Sequence, residues 1–172
     1  MNVFFYASSA VAIIATAMVI TRRSAMHALL YLIVSLLAVA VIFFVLGAPF
    51  AAALEVIIYA GAIMVLFVFV IMMLNLGSAS AREERSLLTA EAWAGPAGLA
   101  AMLLAEVIYI VTRSAGTPTG PPEVGPKEVA RSLFGPYALG VELASLVLLA
   151  GLVGVFHLGR RAAGESAKKE GA

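Results

Sequence analysis

Apolar residues run through this chain in five long blocks, at 2–20, 26–46, 50–76, 92–112 and 136–158, and most charged residues lie between them. About 20 residues of helix, rising 1.5 Å each, cross a hydrocarbon core of ~30 Å. Backbone surrounded by lipid must satisfy its own hydrogen bonds, so each block predicts a helix. The expected fold is all-α, an integral membrane bundle of five transmembrane helices within one domain, 1–172. No internal repeat is present, which argues against the inverted-repeat plan of many transporters.

The connections differ in kind. Gly47-Ala48-Pro49 reads as a tight uncharged turn, and 77–91 as a polar loop containing Arg82-Glu83-Glu84-Arg85. Residues 113–135 are rich in glycine and proline and predict an irregular loop, with a short surface helix near 127–133. Residues 159–172 read as a tail. With five crossings, the first loop, the third loop and the tail share one side of the membrane. They hold Arg22, Arg23, Arg82, Arg85, Arg160, Arg161, Lys168 and Lys169, against Arg113, Lys127 and Arg131 on the other. Positive charge collects in the cytoplasm, so the tail is expected to be cytoplasmic and the N-terminus and the 113–135 loop periplasmic. The first block lacks the basic residues that precede the apolar run of a signal peptide and reads as a retained helix.

Composition narrows the chemistry. Hydrophobic residues make up 63% of the chain and charged residues 12%, with a mean hydropathy of +1.05. A soluble domain carries about 25% charged residues, so the surface belongs in lipid. There is no cysteine and only His27 and His157 as histidines, which leaves no thiolate metal site, no cysteine-held cluster and no metal-ligand spacing. No basic patch interleaved with aromatics suggests nucleic acid.

Carboxylates are costly inside a membrane, by about 3 kcal/mol or more, and are functional candidates for that reason. Glu55, Glu106 and Glu142 lie inside the predicted helices. Counting from the helix ends at 1.5 Å per residue puts each roughly 8–9 Å below the outer surface, a possible common polar layer. Two readings stand for Glu106 and Glu142: a functional layer, or side chains reaching hydrated headgroups and neighbouring bases.

Helix three is the unusual one. About 27 residues make ~40 Å of helix, some 10 Å more than the core requires, and tilt, kink or rewinding must absorb the excess. Near its middle lies Tyr59-Ala60-Gly61-Ala62. Glycine permits both close helix packing and backbone distortion. The Tyr59 phenol needs a partner at that depth, and Glu55 lies at i−4 on the same helical face.

The segment Glu55-Val-Ile-Ile-Tyr-Ala-Gly-Ala-Ile-Met-Val-Leu-Phe-Val-Phe-Val-Ile-Met-Met-Leu-Asn-Leu76 closely resembles helix three of the subunit J family of NADH–quinone oxidoreductase, respiratory complex I, whose mitochondrial counterpart is NADH dehydrogenase subunit six. His27-Ala-Leu-Leu-Tyr-Leu32, Leu133-Phe-Gly-Pro-Tyr137 and Val141-Glu-Leu-Ala-Ser145 extend the likeness over most of the chain. The resemblance implies a subunit of the bacterial inner membrane with no catalytic centre of its own. FMN, iron–sulfur clusters and quinone would be bound by other subunits, and the neighbours would be membrane subunits A, H and K and the antiporter-like L, M and N. It also implies a π-bulge around Tyr59 to Ala62, whose interconversion with α-helix opens or closes a hydrated proton path. On that reading Gly61 is the hinge, Tyr59 moves with it, Met64, Val65 and Phe67 gate the path, and Glu55 lies beside it. Two other classes compete: a self-sufficient small transporter or channel, and a purely structural subunit.

Overall fold

The computed structural model describes residues 2–22, 24–74, 90–114 and 123–170. Among them are five helices long and apolar enough to cross a membrane and no strand. In order they are α1 (Asn2–Thr21), α2 (Ala25–Val45), a third span made of α3 (Pro49–Leu54), a π-helix (Glu55–Ile63) and α4 (Met64–Leu74), then α5 (Ala90–Ser114), the short α6 (Pro126–Leu133) and α7 (Ala138–Glu170). Most of the polar loop expected at 77–91 lies outside the described residues, as do 75–76 and 115–122.

The chain forms two compact units, Met1–Gly125 and Pro126–Ala172. In the first, α2 is the hub, touching α1, all three parts of the third span, and α5. Its seam with α1 and α5 is built from small and β-branched side chains, Val11, Ala15, Val34, Ala38, Val41 and Val45, with Leu103 added from α5. That choice follows from the solvent. Lipid tails are as apolar as leucine, so helix association rests on close packing and interhelical hydrogen bonds. Ala15 and Ala38 are fully buried, letting the two backbones approach. Thr16 Oγ1 and Ser35 Oγ lie 2.8 Å apart across the same seam, while Thr16 also donates to the Ala12 carbonyl at 2.8 Å.

The turn between α2 and the third span is set by Gly47, whose φ of 85° is the left-handed conformation that glycine adopts freely. It lets Gly47 N–H bond the Phe44 carbonyl and Ala48 N–H the Phe43 carbonyl, closing the helix end. Pro49 then opens α3, where a missing N–H costs nothing. At the other end of α2, the Arg22 guanidinium lies over the Tyr31 ring, 5.3 Å from its centroid, and donates to the Tyr31 hydroxyl at 3.3 Å. That hydroxyl sits where a Cβ on Gly95 of α5 would be, so glycine is required there.

In the second unit, the short helix expected near 127–133 is observed as α6, followed by a turn over 134–137. A Cβ on Gly135 would lie 2.7 Å from the Arg131 carbonyl, which explains the glycine of Leu133-Phe-Gly-Pro-Tyr137. The helix expected to end at 158 continues instead to Glu170. Residues 159–170 contain alanine, arginine, glutamate and lysine, all good helix formers, so helix continues past the apolar block.

Candidate functional site

The third span departs from α geometry where its sequence is most distinctive. Glu55–Ile63, nine residues, are wound as π-helix, a winding rare in proteins and normally confined to single turns. In π winding each N–H reaches the carbonyl five residues back, and Gly61 shows what this demands. A Cβ there would lie 3.1 Å from the carbonyl oxygen of Val56, its i−5 neighbour. A side chain there needs that carbonyl to give by a few tenths of an ångström, and glycine fits the winding without it.

The winding sorts the expected gating residues. Met64, the first residue of α4, is buried at 2% exposure, while Val65 and Phe67 are about half exposed. Met64, Val68 and Ile71 form the i, i+4, i+7 stripe on the bundle side of α4, and Val65, Phe67 and Phe69 point away from it. The extra residue held in the π segment fixes this register. Without it, everything downstream would turn by about 100°, one residue's worth of helix. Ile63, Phe67 and Val70 would then take the bearings now held by Met64, Val68 and Ile71.

Tyr59 is half exposed and makes no hydrogen bond to Glu55. The expected stacking at i−4 fails because a π turn holds more than four residues, so i and i+4 no longer lie one above the other. Glu55 is partly buried in the same π segment.

Glu106 lies elsewhere. It occupies the inward stripe of α5, Leu99, Leu103, Glu106 and Ile110, and is 7% exposed. Ser8 of α1 donates to its Oε2 at 2.9 Å, and Oε1 has no hydrogen-bond partner. This corrects the headgroup reading for Glu106: the carboxyl turns inward between spans. Ser8 was not picked out from the sequence, although its place in the stripe Phe4, Ser8, Val11, Ala15 marks it as inward-facing. Glu55 and Glu106 are not joined, but their next neighbours, Val56 and Val107, line one apolar groove of about 540 Å³ between α2, the third span and α5. Glu142 is on α7 of the second unit, where its backbone carbonyl accepts from Ser145 Oγ at 2.7 Å. Among the described residues no group of histidines and carboxylates could hold a metal ion.

The chain is similar in sequence to known proteins. The family described as NADH-ubiquinone/plastoquinone oxidoreductase chain 6 matches residues 15–158. NADH-quinone oxidoreductase subunit J of Pseudomonas aeruginosa is 56% identical over 162 residues, covering 94% of this chain and 98% of that protein. The subunit J of Escherichia coli strain K12 is 52% identical over 160 residues, 93% of this chain and 87% of that protein. That of Buchnera aphidicola subsp. Schizaphis graminum is 49% identical over 160 residues, 93% and 98% respectively.

Proposed function

The chain belongs to the NADH-ubiquinone/plastoquinone oxidoreductase chain 6 family, and from that premise we propose that it is a membrane-arm subunit of NADH–quinone oxidoreductase whose third span couples quinone chemistry elsewhere in the complex to a proton path. The five apolar helices suit a multi-pass protein of the bacterial inner membrane. The charge count favours a periplasmic N-terminus and a cytoplasmic C-terminus. The chain contributes no catalytic centre of its own. FMN, iron–sulfur clusters and quinone reside in other subunits, and subunits A, H, K, L, M and N are its partners in the arm.

One observation carries the coupling role: nine residues of π-helix whose winding places the carbonyl of Val56 against Gly61. Two windings of the same residues present different side chains to their surroundings. In the π state Tyr59, Val65 and Phe67 line the outward face, and Tyr59 brings a hydroxyl that water or a neighbouring subunit can bond. In the α state Phe67 swings towards α2 and Met64 swings outward. Opening and closing of a hydrated path follow from this exchange of bearings. Glu55, at the start of the π segment, is the carboxyl closest in sequence to that path. By residue count from the ends of their own helices, Glu106 and Glu142 are the further candidates for a polar layer.

Gly61→Val tests the reading. The variant complex assembles and still oxidises NADH with quinone, while proton translocation per NADH falls severalfold, because the added side chain crowds Val56 and favours α winding. Full coupled pumping in the assembled variant rejects the hinge.

A further inference from the structure

The seam between α1 and α5 holds a buried carboxyl that the third span does not use. Glu106 stands in an otherwise apolar stripe of α5, and Ser8, fully buried, stands opposite in an otherwise apolar stripe of α1. Their side-chain oxygens are 2.9 Å apart, and the second carboxyl oxygen, Oε1, is sealed from solvent without a donor. No compensating charge stands on the facing helices. Neither α1 nor α2 contains a lysine, arginine or acidic residue; α2 contributes only His27 and Tyr31, both in its first two turns, and the Tyr31 hydroxyl bonds Arg22. On α5 the nearest titratable group is Tyr109, whose ring packs on Phe4 at 5.3 Å.

We infer that Glu106 is a proton-holding site, a neutral carboxylic acid at rest, with Ser8 as its permanent partner and Oε1 as the position where one water enters when the proton leaves.

The chemistry of the pair suits a group that changes protonation. A serine hydroxyl both donates and accepts. When Oε2 carries the proton, the acid donates to Ser8 Oγ; when the proton is gone, Ser8 donates to Oε2. The bond between α1 and α5 survives either way. Oε1 is the atom whose needs change. In the acid it is a carbonyl oxygen, tolerable without a bond, whereas in the carboxylate it shares the negative charge and must find a donor. On release, the carboxyl turns by half a revolution so that its O–H, at the position now held by Oε1, points to the water. The O–H bond breaks with its electron pair left on Glu106, the proton passes to that water as hydronium, and Ser8 donates to the oxygen that now faces it. An isolated buried anion is so unfavourable in lipid that the proton leaves only with the water present. The site does not depend on the third span changing its winding, so the two readings fail separately.

Infrared spectroscopy of the assembled complex in its native membrane tests it. At neutral pH the difference between parent and Glu106→Gln shows the loss of one protonated carboxylic acid carbonyl band. Ser8→Ala, which leaves the glutamate in place, moves the same band to higher frequency, because the acid loses its hydrogen bond. A Glu106→Gln difference that contains carboxylate bands in place of the acid band overturns the proposal. So does a band that Ser8→Ala leaves unmoved. Should Glu106→Gln fail to assemble, the Ser8→Ala spectrum alone decides.

Discussion

Two seams run along α2, and they are built from opposite materials. On the side of α1 and α5, alanines and serines let backbones approach, and hydrogen bonds cross from helix to helix at Thr16–Ser35 and Ser8–Glu106. On the side of the third span, bulky residues predominate, Met64 is the one deeply buried side chain beyond Ala52, and among the described residues no side-chain hydrogen bond ties the span to α2. In lipid no hydrophobic force compensates for missing ties. The first seam, or frame, is therefore the more firmly tied, and on the second the proposed rewinding would break no side-chain hydrogen bond to α2. The wide winding that contains Gly61 is found on that second seam.

The largest expected effect breaks the frame. Gly95→Val places a side chain where the Tyr31 hydroxyl now sits. Overpacking of this kind costs about 1–3 kcal/mol in cores, and the tyrosine that must give way is buried and already held by Arg22. The amount of assembled complex in membranes should fall severalfold. Gly95→Ala should fall less, and combining it with Tyr31→Phe should recover part of the loss, because the overlapping atom is the hydroxyl. Equal losses in Gly95→Ala with and without the tyrosine hydroxyl would deny that this contact holds α2 to α5.

On the other seam, Gly61→Ala should leave assembly intact and change the balance of windings. Alanine is favoured over glycine in α-helix by about 1 kcal/mol, roughly fivefold in population. Crowding against the Val56 carbonyl adds to this bias. Single cysteines at 64 and 65 read the outcome through a membrane-permeant thiol reagent, with neighbouring subunits in place. In the π winding a cysteine at 65 is the more reactive and one at 64 is protected. In the Gly61→Ala background the order should move towards the reverse, since about 100° of rotation carries position 64 to the bearing now held by 65. Unchanged labelling would mean that the register of α4 is independent of Gly61.

These two seams were legible in the sequence to different degrees. Spans announce themselves, because lipid demands long apolar runs and closed backbone hydrogen bonding, and five apolar helices are present among the described residues. At the end of α7 the apolar span stops at Arg160 while helix-forming residues carry the helix on to Glu170. Gly61 was visible as a glycine near the middle of an overlong span. The pairing of Tyr59 with Glu55 was misread because an i−4 relation presupposes α geometry, which is the property that the segment lacks. Glu106 stood out as a charge among apolar residues, yet its partner did not. A serine in a transmembrane helix is common, and only the facing of α1 against α5 turns Ser8 into a carboxyl's partner.

The smallest expected effect measures how firmly the frame is tied. Thr16 and Ser35 share one hydrogen bond across α1 and α2, and each also has a bond to the Ala12 carbonyl, at 2.8 Å from Thr16 and 3.4 Å from Ser35. Replacing either hydroxyl leaves the other with that carbonyl as an acceptor, so neither is stranded. Interhelical bonds of this type average about 0.6 kcal/mol and reach about 1.7 kcal/mol in membranes. Thr16→Val and Ser35→Ala should each lower the thermal stability of the detergent-solubilised complex slightly, and the double variant should lose less than their sum. A coupling near zero would place the strength of this seam in packing alone, with Ala15 and Ala38 as its substance. The Ser8–Glu106 bond and the longer bond from Ser35 to the Ala12 carbonyl would then be the polar ties left between α1 and other spans among the described residues. The frame would depend in part on the same carboxyl that is proposed to hold a proton.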